Sequence, residues 1–206
     1  MLHADGMSRI FRSSRPRIGA ALLFAVWALL TAPRMTHAVE IEFEAHREGE
    51  VILVAAAANL SVAADTAWNV LSDYDRLGEF IPGMLSSRVL SRDGNGIVVE
   101  QRGEFGVLFF RREIETKFAV VESPPNRIDA RAIAGSFREM TGRYDLEPLN
   151  PGIRLRYTGR LVPDFSLPPL IGMVFIRNMI SNQFAAMVDE IIRRDGLERT
   201  PASSVR

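Results

Sequence analysis

Arg138, Tyr144 and Tyr157 are the side chains of this 206-residue sequence that could do polar chemistry inside an apolar cavity. Within "SFREMTGRYDLEPL" (136–149), strand alternation gives Arg138 the parity of Met140 and Tyr144, so its guanidinium would reach the face they occupy. There it could orient a carbonyl or an anionic head group; it could equally turn to solvent or pair with an acid on a neighbouring strand. Tyr157, in "IRLRYTGRLV" (153–162), shares parity with Ile153 and Leu155 and offers a second phenol. Glu139 and Asp145 fall on the opposite, wet parity, so no carboxylate pair faces inward to serve as general acid and base. No catalytic residue is assigned, and the residue types favour binding over catalysis.

Other chemistries are narrowed by what the chain lacks. It has no cysteine, which removes disulfides and thiol nucleophiles. Of its three histidines, His3 and His37 lie in a segment that reads as a leader. His46, in the polar stretch "EFEAHREGE", reads as solvated. A histidine-rich metal site and a histidine-based triad are therefore not expected, and no cofactor is implied.

The leader has a basic start (Arg9, Arg12, Arg15, Arg17), an apolar run "IGAALLFAVWALL" (18–30), and "TAPRMTHA" ending with Thr36 and Ala38 at cleavage-site spacing. The run falls short of the ~20 residues of a spanning helix. Residues 1–38 are thus expected to be a cleaved signal peptide, with an exported, periplasmic mature protein; an uncleaved membrane anchor is the alternative. The remaining chain carries 20 basic and 24 acidic side chains, a formal charge of −4 without a basic run. Nucleic-acid binding is disfavoured.

The elements that must position these residues follow from periodicity. Residues 39–50 are polar. "VILVAAAANLSV" (51–62) reads as a strand apolar enough to be buried on both faces, and "AADTAWNVLSDY" (63–74) as a helix that Asp65 caps and that buries Trp68 and Leu71. "DYDRLGEFIPG" (73–83) follows, a polar helix end running into an apolar, proline-bent segment. "SSRVLSRD" and "IVVEQRGEF" flank "DGNG", a strong hairpin signal. Further antiparallel strands run through "GVLFFRREIETKFAVVES" (106–123), "RIDARAIAG" (127–135), 136–149 and 153–162. Residues 170–194 then switch to helical spacing at Ile171, Val174, Phe175, Ile180, Phe184, Met187, Val188, Ile191 and Ile192, with Gly196 as a terminator and a flexible tail over 196–206.

This order, with "ANLSVAADTAWNVLSDYDRLGEFIPGMLSSRVLSRDGNG", "GRYDLEPL" and "IRLRYTGRLVPDF", resembles the START-like (SRPBCC) superfamily, and within it the polyketide cyclase/dehydrase and coenzyme Q-binding START-domain family. The resemblance spans about residues 50–194. It implies an α+β helix-grip fold over 51–195: a strongly curved antiparallel sheet wrapped around a long C-terminal helix, with a cavity between them. It also implies a hydrophobic ligand, a lipid or an isoprenoid quinone, held by a carrier or chaperone.

In that family the segment after the first helix packs near a cavity mouth. The resemblance therefore makes Tyr74, Phe80, Pro82 and Met84 part of a wall or lid; filling the junction between helix and strand is the other use of them. By strand parity Phe118 and Val120 share a face, as do Leu155 and Tyr157, and the last helix offers Phe175, Met179 and Phe184 opposite. The expected ligand-binding set is thus Tyr74, Phe80, Pro82, Met84, Phe118, Arg138, Tyr144, Leu155, Tyr157, Phe175 and Met179. A cyclase/dehydratase-like enzyme using the same cavity is one alternative. Another is a membrane-peripheral or protein-binding module, with Val107 and Leu108 of "FGVLFF" at an exposed hairpin tip before Arg111 and Arg112. Oligomeric state is left open.

Overall fold

A computed structural model describes residues 39–107, 110–165 and 172–199. In chain order it contains β1 (Ile41–Glu48), β2 (Val51–Leu60), α1 (Ala64–Leu71), a 3₁₀ helix (Tyr74–Glu79), β3 (Met84–Asp93), β4 (Gly96–Val107), β5 (Phe110–Ser123), β6 (Arg127–Gly135), β7 (Phe137–Pro148), β8 (Ile153–Pro163) and α2 (Gly172–Arg199). The strands form one antiparallel sheet in the order β1-β2-β8-β7-β6-β5-β4-β3. The "DGNG" hairpin forms as read: Asp93 pairs with Gly96, and Gly94 takes φ +54°, a conformation that costs an L side chain energy.

The α+β class holds, but the strong curvature expected of the sheet does not. The sheet is open, with β1 and β3 as its two edges, and α2 lies nearest β1, β2 and α1 and is not enclosed. The reason lies in side chains. The apolar face of α2 is met by α1 and the strands at one end of the sheet, where Val70, Leu71, Ala56 and Ala58 share a core with Phe184, Val188 and Ile191. A second helix and close-packed alanines of β2 satisfy α2 there without the sheet closing around it.

Two strands differ from their sequence reading. The polar stretch at 41–48 is an edge strand, β1, with Glu42, Glu44 and His46 exposed and Ile41, Phe43 and Ala45 half-buried. On β2, Ile52, Val54, Ala56, Ala58 and Leu60 are buried, whereas on the other face Ala57 is buried, Val51 and Leu53 are half-buried and Ala55 and Asn59 are exposed, so the strand is not buried along both faces. Its alanines hid the wet face, because a small apolar side chain tolerates either side.

The helix ends differ as well. Asp65 is exposed and makes no cap; the backbone N–H of Ala63 donates instead to Asp195 Oδ1 on α2 at 3.1 Å. Gly196 does not stop α2, which runs on to Arg199. Thr66 Oγ1 donates to Glu198 at 2.6 Å, and Arg199 reaches both Asp195 at 2.7 Å and the Ser61 carbonyl at 2.8 Å. These bonds across the fold outweigh the ~1 kcal/mol that glycine costs a helix interior. On the helix surface Val174 and Ile192 are exposed, and Ile176 takes the buried place. Residues 1–38, expected to be a signal peptide, and the tail beyond Arg199 lie outside the described residues.

Candidate ligand cavity

Strand alternation delivers Phe118 and Val120 of β5, Met140 and Tyr144 of β7, and Tyr157 and Leu161 of β8 to the face that looks toward α2. Between that face and the helix lie two adjoining lobes of about 160 and 180 Å³. Met84, Gln101, Phe118, Met140, Tyr144, Tyr157 and Gln183 border both. Ile114, Thr116, Phe137, Met179 and Phe184 are among the further residues of the first lobe, and Leu71, Tyr74, Leu77, Ile81 and Met187 among those of the second, beneath α1 and the 3₁₀ helix. Together the lobes reach the lower end of the ~300–1,000 Å³ usual for small-molecule sites. A shallow depression lined by Pro82, Gly83, Arg111, Phe175, Asn178 and Met179 adjoins the first lobe through Gly83, Glu104 and Met179, and forms its mouth.

Tyr157 sits where it does because two glycines make room. Gly142 of β7 pairs with Gly159 of β8, and the Tyr157 ring lies over both. A Cβ at Gly159 would stand 2.7 Å from the phenol oxygen, and one at Gly142 3.2 Å from it. The ring is thereby laid along the sheet, tilted 42° to Tyr144 with centroids 4.8 Å apart. Burial pushes the Tyr157 phenol up to about 12 and raises that of Tyr144 further, with Tyr157 adding to the effect. Both therefore keep their protons at any physiological pH: they serve as hydrogen-bond donors and not as bases.

Tyr74 is raised too, first by burial and then by Glu122, whose Oε1 accepts its O–H at 2.9 Å while Arg92 holds Oε2 at 3.2 Å. Charge is confined to the mouth. Among the described residues bordering the lobes, only Arg102 and Glu104 are charged; both are exposed and paired, Arg102 with Glu115 at 3.1 Å and Glu104 with Arg111 at 3.4 Å. The arrangement can hold an uncharged apolar molecule and hydrogen-bond a polar group on it.

The expected residues divide between wall, mouth and elsewhere. Tyr74, Met84, Phe118, Tyr144, Tyr157 and Met179 border the lobes. Pro82 and Phe175 stand at the mouth, where the Pro82 carbonyl accepts from Gln183 Nε2 at 3.2 Å. Phe80 points away: its ring lies 5.9 Å from the Arg194 guanidinium, and Ile81 turns inward in its place. Leu155 is fully buried between Ala58 and Leu146 in the solid core and touches neither lobe. Val107 closes β4 opposite Phe110; its side chain, and all of Leu108, lie outside the described residues.

Arg138 is a correction. The β7–β8 register shifts between Phe137 and Glu139, a bulge that breaks the alternation. Phe137 takes the inward position, and Arg138 projects to the surface, where it pairs with Glu50 at 2.9 Å. Arg138→Ala should therefore leave folding stability within about 0.5 kcal/mol of the parent and leave uptake of an apolar ligand unchanged. A loss of uptake at constant stability, read by denaturation beside a binding titration, would return Arg138 to the site.

Gln101, Thr116, Gln183 and Phe137 are among the wall residues that were not anticipated. Gln101 and Thr116 continue inward parities set by Val99 and Phe118, so a polar residue in a buried phase was the available signal. Gln183 lies one position before buried Phe184, and Phe137 depends on the bulge, which alternation alone cannot show.

A family model described as "Polyketide cyclase / dehydrase and lipid transport" matches residues 60–188, which hold α1, the mouth segment and most of α2. The chain belongs to this family. No curated protein sequence matches it. Among solved structures, the STAR-related lipid transfer protein from Xanthomonas axonopodis superposes with a TM-score of 0.59 at 15% identity, over 76% of this chain and 94% of that one. The Zhui aromatase/cyclase from a Streptomyces species gives 0.58 at 14%, over 81% and 100%. A START superfamily protein from Mycobacterium smegmatis gives 0.55 at 15%, over 71% and 98%. At these identities the likeness is one of fold.

Proposed function

We propose that this protein is an exported carrier that shelters a hydrophobic small molecule, a lipid or an isoprenoid quinone, between its sheet and α2. The observation that carries the reading is the pair of lobes walled by Phe118, Met140, Tyr144 and Tyr157, with charge kept to the mouth. Each methylene moved into such a space contributes about 0.8 kcal/mol. Methionines at 84, 140, 179 and 187 give the wall the freedom to fit a flexible tail. The ligand enters beside Pro82 and Gly83, and the 74–84 segment forms the rim. Export rests on the leader read from the sequence. The Xanthomonas axonopodis protein of similar fold is a STAR-related lipid transfer protein, which agrees with this reading.

The test is mass spectrometry of small molecules extracted from the protein purified out of its own compartment, beside Met140→Trp, which fills both lobes at once. One lipid or quinone species near one per protein, absent from a folded Met140→Trp variant, is the expected result. An empty extract from a protein that also refuses added lipids and quinones would end the carrier reading.

A further inference from the structure

Across the inner face of the sheet runs a row of polar residues where apolar ones would pack. Ser87 of β3 pairs in register with Gln101 of β4, and Gln101 with Thr116 of β5. Ser87 and Thr116 are buried, at 7% and 3% exposure. Gln101 Nε2 reaches Ser87 Oγ at 3.4 Å, a long contact. Thr116 Oγ1 is buried and has no hydrogen-bond partner, yet Thr116 borders the first lobe beside Gln101. A buried hydroxyl without a partner is rare, because leaving it unsatisfied is costly. The lobe that Thr116 borders is the nearest place from which a partner could come.

We infer that Thr116 and Gln101 form a subsite for the neutral carbonyl oxygen of an otherwise apolar ligand whose remainder runs past Phe118 and Met140 toward the second lobe. The inference rests on the carrier reading and names the polar group of its ligand. The chemistry follows from the donors. Thr116 O–H and the Gln101 amide lie on adjacent strands, and the phenols of Tyr144 and Tyr157 add O–H groups on the wall of the same lobe. A carbonyl oxygen accepts two such bonds and needs no counter-charge. A carboxylate would need one, and Arg102, the one cation bordering the lobe among the described residues, is exposed and held by Glu115 at 3.1 Å.

The experiment compares methyl decyl ketone, dodecane and dodecanoate, three chains of matched length, by displacement of the neutral dye Nile red from the purified protein. The infrared stretch of the carbon-13-labelled ketone carbonyl is recorded in parallel. The ketone is expected to bind the parent about three- to tenfold more tightly than Thr116→Val does, the worth of one neutral hydrogen bond. Its carbonyl stretch should shift to lower frequency in the parent and relax in the variant. Thr116→Ser, which keeps the hydroxyl, should restore both. Dodecane should bind parent and Thr116→Val alike, and dodecanoate should bind more weakly than the ketone.

If ketone and dodecane both bind while the carbonyl stretch in the parent is that of an unbonded ketone, the subsite falls and the carrier reading stands. Tighter binding of dodecanoate than of ketone overturns the preference for a neutral group. If no probe displaces the dye, the subsite falls together with the carrier reading. The stretch in the parent protein decides the matter even if Thr116→Val fails to fold.

Discussion

Gly135→Ala should destabilise the protein by at least about 3 kcal/mol. Gly135 closes β6 at φ +115°, and a Cβ there would lie 2.0 Å from the Glu115 carbonyl oxygen and 2.7 Å from the Thr116 Cα. Both obstacles are backbone of the neighbouring strand, so no side chain can swing aside. The turn is tied down on either side: Ser136 N–H donates to the Glu115 carbonyl at 2.9 Å, and Asp164 N–H to the Ser136 carbonyl at 3.1 Å. Relief would require β5 and β6 to part where Thr116 pairs with Gly135. Gly49→Ala is the control. Gly49 also has positive φ, +62°, but a Cβ there meets nothing within 4 Å, so only backbone strain of about 1 kcal/mol is expected. Urea denaturation of the two variants separates collision from strain. Equal losses would show that the strand gives way cheaply, and the tight approach of β6 to Thr116 would lose its meaning.

The second large effect is expected at Glu190. It is buried, and its carboxylate accepts from Arg193 at 2.6 and 2.7 Å and from Arg194 at 2.7 Å. Arg194 also donates to Asp73 at 2.8 Å, which binds α2 to the start of the 3₁₀ helix below the mouth. The hydrogen bond from Arg193 leads in holding the Glu190 carboxyl down to about 2, against the opposing cost of burial and with Arg194 assisting. A carboxyl whose folded value is lowered contributes stability above its ordinary value near ~4.3. That stability is lost as the pH falls from there through about 2. Screening at the half-exposed Arg193 keeps the contribution to about 2 kcal/mol. Glu190→Gln should thus cost about that much at neutral pH and progressively less in acid, the two proteins converging toward pH ~2. A deficit that stays constant across this range would mark the loss as one of packing.

What could be read from the chain, and what could not, separates along physical lines. Alternation placed Phe118, Tyr144 and Tyr157 on the inner face because strand geometry has a strict period of two. It failed at Arg138, where the bulge between Phe137 and Glu139 inserts one residue and changes the phase. It was silent on Thr116, since an unpartnered hydroxyl is recognised only once its surroundings are known. Helical spacing marked α2, but its end was misplaced because Asp195, Glu198 and Arg199 bind groups far away in sequence, and those bonds override the glycine between them. The family resemblance supplied the architecture and overstated its curvature: an open sheet and a wrapped one share the same order of elements.

The open sheet has a further consequence at β1. An edge strand offers unpaired N–H and C=O groups that can template a second copy and start aggregation. The outward positions of β1 place Glu42, Glu44 and Glu48 along that edge, with His46 among them. Two copies approaching through β1 would confront one row of carboxylates with another, with little apolar area to gain. Among the described residues, the polar stretch at the start of the fold thus sets carboxylates along the exposed edge of the sheet, where like charge opposes strand-to-strand pairing.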